Sequence, residues 1–408
     1  MSSLPASSTR SDNPLLVLIL AGCILAVVTN GVRSSLGLFT LPLTSDLGIS
    51  RESWGLALAV QNLVWGLVQP FSGALADKLG TARVLALGLV IYALGTIIMA
   101  FSTESTLIFL SAGIVVGAGI ATSSFSIVMA AFGRRVPQEK RSLVFGVATA
   151  ASSFGQFLFA PIGQQFISSF GWQMALLYLT VFLVVALPFT MALRGKSTAL
   201  VKETALPLGV ALRRAFSHGS YRLLIAGFFV CGFHVAFITV HMPAYLVQCG
   251  LSAETASWTI AVIGLFNIVG SLLAGQLGTM LPKPLLLASI YFLRAVAFAL
   301  FVFIPVSEFT AFLFAGVMGL LWLSTVPLTA GLVTQFFGAR YMGMLYGIAF
   351  LSHQVGSFLG IWFGGLAYDL TGNYSLVWYL GIVLGLGSAV LHLPIREAGA
   401  RSFGLKPA

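Results

Sequence analysis

Arg33 is the residue whose type and setting most clearly suggest chemistry. It lies in a long apolar run, with Asn30 and Gly37 on the same helical face at spacings of three and four. A guanidinium in such a setting can clasp a carboxylate or phosphate through two parallel hydrogen bonds. None of the 11 Asp and Glu residues falls inside an apolar run; each sits in a polar connection or at the end of a run. An arginine with no acid in reach points to an anionic ligand as the missing charge. Histidines are the second candidates, because an imidazole hydrogen-bonds a ligand and carries a proton near neutral pH. His234, His241 and Tyr245 share one face of a later run, and Tyr346, His353, Ser357 and Gly360 share another. Ser124, Asn267 and Trp322 are further polar or aromatic candidates in apolar segments. Cys23, Cys231 and Cys249 show no CxxC spacing and read as packing residues. No catalytic constellation, metal site, nucleotide motif or cofactor is expected.

These residues must be positioned by membrane helices. Of the 408 residues, 58% are hydrophobic and only 8% are charged, against roughly 25% charged in an ordinary globular domain. Mean hydropathy is +1.00. This excludes a soluble enzyme, a nucleic-acid binder and a disordered regulator. A membrane-crossing helix needs roughly 20 apolar residues. Punctuation at polar, Pro and Gly clusters predicts twelve spans at about 15–41, 54–76, 82–101, 106–132, 142–167, 173–193, 221–247, 255–279, 284–304, 309–336, 342–368 and 375–394. The expected fold is therefore an all-α integral membrane protein. The N-terminal segment has no charged region and cleavage site around a short apolar stretch, so no removed signal is expected.

Basic residues set the orientation. With the N-terminus in the cytoplasm, all of the 21 Lys and Arg except Arg33, Arg51 and Arg294 fall inside, while Asp46, Glu52, Glu104, Glu254, Glu308 and Asp369 fall outside. The net charge of +10 is then a record of topology under the positive-inside rule and needs no acidic partner. The expected organisation is a cytoplasmic head at 1–14, a six-helix bundle at 15–193, a cytoplasmic linker at 194–220, a second bundle at 221–394 and a cytoplasmic tail at 395–408. Bacterial inner membrane and a monomer are the expected setting. Arg294, in span 9, reads as structural or snorkelling.

The halves repeat. An offset of 201 positions places Pro42 on Pro243, Gly155 on Gly356, Phe157 on Phe358 and Gly171 on Gly372. One inserted residue brings Glu52 onto Glu254. Parallel repeats of this kind are a transporter signature, with the site near the midplane between them. The same offset takes Arg33 to His234, which is expected to face it across the pseudo-twofold.

Between spans 2 and 3 stands GALADKLGTAR, residues 73–83. Gly73 would permit close helix approach, Gly80 a tight turn, and Asp77 a pairing with Arg83 or a helix N-terminus that latches the halves. The motif resembles the G-x-L-a-D-R-x-G-x-x-R loop of the major facilitator superfamily, matched at Gly73, Leu75, Asp77, Gly80 and Arg83. The resemblance implies that fold, with alternating access and no enzymatic activity. Proton-coupled drug exporters of the superfamily carry an arginine early in span 4, where Gly113 stands here.

Within the superfamily the chain resembles the branch of monocarboxylate porters and oxalate–formate antiporters. RSSLGLF at 33–39, RSLVFGVATAASSFGQFLFAP at 141–161 and GGLAYDLTGNY at 364–374 carry the likeness. Where that branch has a span-8 arginine, this chain has Ser271, one turn after Asn267. The resemblance implies a carrier of small organic anions, monocarboxylates above all. With no buried carboxylate, proton coupling is expected through His234 or His353. An exporter of amphipathic compounds is the alternative; a sensor without transport is the least expected.

Overall fold

The computed structural model describes residues 13–195 and 208–398, which are helical with no strand among them. Ten helices there are long and apolar enough to cross a membrane. The twelve expected crossings emerge from two details. Leu143–Leu193, at 51 residues, is two crossings joined end to end. Gly171 divides them with φ of 79°, a left-handed value that glycine adopts without strain. Arg51–Leu79 has 29 residues, about 43 Å of helix against a hydrocarbon core of about 30 Å. It also crosses, although Gln61, Asn62 and Gln69 dilute its apolar character.

Span 1 is thus Pro14–Leu47, span 2 Arg51–Leu79, span 3 Thr81–Phe101 and span 4 Ser105–Arg135, with spans 5 and 6 on either side of Gly171. Spans 7 to 12 are Gly219–Gln248, Ala253–Met280, Lys283–Phe303, Glu308–Phe337, Tyr341–Thr371 and Ser375–His392. The repeat is visible in the caps. Ser50 and Ser252 each accept a hydrogen bond from the backbone N–H three residues on, at the starts of spans 2 and 8. Glu52 and Glu254 then sit in the positive first turn of their helices.

Each half builds its own apolar core. One gathers Phe39, Trp54, Tyr92, Phe132 and Trp172, and the other Tyr221, Phe298, Phe301, Phe314 and Trp378. The polar connection between the halves contains a helix, Leu208–Ser217, with Arg213 and Arg214 on it. The head up to residue 12, the connection at 196–207 and the tail from 399 lie outside the described residues.

The halves meet mainly on the face opposite the termini. There the Arg51 guanidinium covers the Tyr368 ring at 3.5 Å and donates to the Tyr374 hydroxyl at 2.9 Å. The Glu52 N–H donates to Asp369 at 2.8 Å, and Trp362 Nε1 donates to Glu52 at 3.2 Å. Gly37 lies so close to span 7 that a Cβ would overlap the Thr239 carbonyl. Toward the face carrying the termini the helices part. Gly73, Gly275, Gly343 and Gly347 have no neighbour within 4 Å of where a Cβ would stand. The structure is closed on one face and parted on the other.

Candidate functional site

Arg33 sits where span 1 leaves regular α-helix, just before the 3₁₀ turn Leu36–Phe39. Its Nη2 donates to Asn62 Oδ1 of span 2 at 3.1 Å, and its guanidinium stacks 4.7 Å over Trp65. The pocket around it is completed by Leu58, Gln61, Ala236, Thr239 and Ile361. About 10 Å3 there is open to the centre of a water molecule, room for roughly one water. Among the described residues the ion pairs are Arg134–Asp77 and Lys283–Glu397. Neither involves Arg33, so its charge is met by an amide and an aromatic face alone.

A chain of polar contacts leads from this arginine into the second half. Gln354 of span 11 donates through Nε2 to the Asn62 carbonyl at 3.0 Å. Its Oε1 lies 3.1 Å from His353 Nδ1. The His353 ring stacks on Phe350, and Phe350 meets Trp65 edge-on at 5.3 Å. Arg33 and His353 thus belong to one network, joined by Asn62, Trp65 and Gln354. Sequence reading passed over these three. The available signal was the pair Gln61–Asn62 in a membrane span, where two uncharged amides are costly unless they face protein.

The other candidates are placed differently. Asn30 turns to span 5 and donates to the Ser152 carbonyl at 2.8 Å. Ser124 begins the second segment of span 4, its hydroxyl 2.9 Å from that of Ser126. Asn267 bridges three helices. Its Nδ2 donates to Ser153 of span 5 at 2.9 Å, while its Oδ1 accepts from the Leu323 N–H of span 10 at 3.0 Å. Trp322 is buried at the break in span 10. His241 hydrogen-bonds the Ile361 carbonyl at 2.7 Å and packs between Phe237 and Tyr374. None of these five contacts Arg33.

His234 corrects an expectation. It does not face Arg33. Its Nε2 lies 2.8 Å from the Gly381 carbonyl of span 12, and its ring packs 4.6 Å from Phe298 of span 9. The repeat fixes the depth of an equivalent residue but not which way it points. Ala236 lines the Arg33 pocket, and His234, two residues earlier, is rotated about 200° around the helix.

The motif at 73–83 also departs from its expected pairing. Asp77 pairs with Arg134 at the end of span 4, at 3.6 Å, and not with Arg83, which is exposed. Arg134 also donates to Thr81 Oγ1 at 2.9 Å. Both contacts lie within the first half, so in this state the motif braces one bundle and does not join two. Gly73 makes no close approach. Gly80 supplies the expected turn, at φ of 95°.

Two six-span bundles, each with its own core, close over an uncompensated arginine on one face and part on the other. These features are those of a membrane transporter built from two parallel repeats. The Major Facilitator Superfamily family matches residues 20–361, and the chain belongs to it. Its relatives are transporters and not enzymes. Monocarboxylate transporter 13 of Rattus norvegicus is 28% identical over 388 residues, covering 92% of this chain and 87% of that protein. Monocarboxylate transporter 11 of Homo sapiens is 27% identical, covering 90% and 80%. An uncharacterized MFS-type transporter of Bacillus subtilis, YcxA, is 25% identical, covering 91% and 92%. Among solved structures, a bacterial homologue of the human lysosomal transporter Spinster, inward-facing and unoccupied, superposes with a TM-score of 0.70. It is 15% identical and covers 96% of this chain and 97% of that one, a likeness of fold.

Proposed function

We propose that the protein is a secondary transporter of small organic anions, monocarboxylates above all, with Arg33 as the carboxylate anchor. The observation that carries this reading is a guanidinium at the closure between the halves with no acid beside it. Asn62 holds it in place through one N–H, leaving other donors for a substrate. Trp65 offers a face for the substrate's short apolar portion. Rocking the bundles would open this pocket to each side in turn. The names of the mammalian relatives agree with a carboxylate as cargo.

Proton coupling, in this reading, runs through His353, which the Gln354 and Asn62 amides link to Arg33. His234, turned toward Gly381 and Phe298 within the second bundle, has no part in this relay. In this reading both termini face the cytoplasm, which the basic loops support, the membrane is a bacterial inner membrane, and one chain is the working unit.

Uptake of radiolabelled short-chain monocarboxylates into proteoliposomes, with and without a pH gradient, tests this reading. Arg33→Ala should lower uptake roughly a hundredfold or more, as expected for losing one partner of a charge pair. Arg33→Lys should keep a remnant, since a point charge replaces a fork. Undiminished uptake by Arg33→Ala would overturn the assignment.

A further inference from the structure

A second arginine without an acid lies inside the second bundle. Arg294 of span 9 is fully buried. Its Nε and Nη2 donate to the Leu321 carbonyl at 3.1 and 2.6 Å, and Nη2 also donates to the Trp322 carbonyl. Its Nη1 has no partner. Tyr291, one turn earlier on the same face, is equally buried, and its hydroxyl faces Thr325 and Ser388 without a hydrogen bond of ordinary length to either. The guanidinium stands 5.5 Å from the Tyr291 ring. Thr325 of span 10 and Cys231 of span 7 close the group, Oγ1 and Sγ being 3.2 Å apart. Cys231, Tyr291 and Arg294 lie within electrostatic reach of one another.

We propose that Arg294, Tyr291, Thr325 and Cys231 enclose a site for a small monovalent inorganic anion of the halide class. Each of these groups can donate a hydrogen bond, and Arg294 adds a fixed positive charge. The acids of the described second half are at helix ends or, for Glu397, beyond the last helix. Glu308 accepts from Thr255, Asp369 from the Glu52 N–H, and Glu397 pairs with Lys283, while Glu254 begins span 8. None reaches Arg294. A buried charge left unpaired is strongly destabilising. A water molecule would satisfy the orphaned N–H and O–H groups but would leave that charge unmatched. An anion does both. The enclosure of all four side chains sets the site apart from the Arg33 pocket and from any transported carboxylate. The bound ion would brace spans 7, 9 and 10 around the break at Leu321–Ser324.

The test is thermal unfolding of the purified full chain, dialysed into sodium sulfate, with sodium chloride or bromide returned at matched ionic strength. Wild type should gain about 1 to 2 °C in Tm at ten times the Kd, and Tm should go on rising with the logarithm of halide concentration. Tyr291→Phe should raise the halide concentration needed for the same gain about tenfold, as loss of one hydrogen bond to a charge predicts. Thr325→Val serves if Tyr291→Phe does not fold. Arg33→Gln should leave the gain unchanged, which separates this site from the transport site. Equal Tm in sulfate and halide would overturn the proposal. So would a halide gain untouched by Tyr291→Phe and Thr325→Val, or one lost in Arg33→Gln.

Discussion

Spans 4 and 10 break at positions related by the repeat, and the two halves satisfy the break in different ways. Ser123 and Ser324 mark it, 201 positions apart. In span 4 the backbone largely heals itself. Ser123 N–H and Oγ both donate to the Gly119 carbonyl, at 2.9 and 2.8 Å. Span 3 presses its backbone against the break through Gly88, where a Cβ would overlap Thr122 and Ser123. In span 10 Ser324 Oγ makes the equivalent bond to the Leu320 carbonyl, at 2.6 Å, but side chains from other helices are added to it. Arg294 holds the Leu321 and Trp322 carbonyls, and Asn267 accepts from the Leu323 N–H. Free backbone groups cannot face lipid, so each break needs partners. The first solution requires only small residues. The second brings a charge into the bundle and, through Asn267 and Ser153, ties the break to the opposite half. One break is local, and the other is joined to the interface that must move.

Removing Arg294 should separate the halves most. Arg294→Ala leaves two carbonyls and a void where the guanidinium stood. The expected loss is about 3 kcal/mol, the cost of orphaning buried carbonyls. For a chain of 408 residues that corresponds to roughly 3 to 4 °C in Tm. The measurement is thermal unfolding in detergent, and a Tm within about 1 °C of wild type would show that the break does not need its cation.

The first break is probed by filling the space it relies on. Gly88→Val pushes a branched side chain into the backbone of Thr122 and Ser123. Overpacking of this sort costs about 1 to 3 kcal/mol, so the loss in Tm should be smaller than for Arg294→Ala. A larger loss would mean that the close approach of spans 3 and 4 is the more critical of the two devices.

The contrast also explains how far the sequence could be read. Run length gives twelve crossings because lipid admits only helices of sufficient length. Arg33 stands out because a charge in an apolar run is rare and expensive. The partners of Arg33 were less visible. Asn62 and Gln354 are ordinary polar residues until the rotation of spans 2 and 11 brings them together, and rotation depends on packing across the whole bundle. The same rotation turned His234 away from the interface. Arg294 was legible as a charge, but its carbonyl partners were not, because the break at Leu321–Ser324 is signalled only indirectly, by Pro327 in the first turn of the helix that follows. Asp77 stands out in its motif, yet its partner lies 57 residues on, at Arg134, where loop spacing gives no guide.

The smallest expected difference between the halves lies at their terminal face. Asp77 and Arg134 pair at 3.6 Å with Asp77 58% exposed, so water and salt screen the pair strongly. Asp77→Asn should cost less than about 1 kcal/mol, and the cost should vanish at high ionic strength. In the second half the acid comes from the tail. Glu397 pairs with Lys283 Nζ at 3.5 Å and accepts from the Lys283 N–H, and its own carbonyl accepts from Gln335 at 2.9 Å. Its side chain is 25% exposed. Glu397 thereby occupies a backbone donor at the start of span 9, where the helix end favours negative charge. Glu397→Gln should therefore lower Tm more than Asp77→Asn, and should retain most of its effect at high salt. Equal, salt-sensitive losses in the two variants would show that the tail contributes only a surface charge.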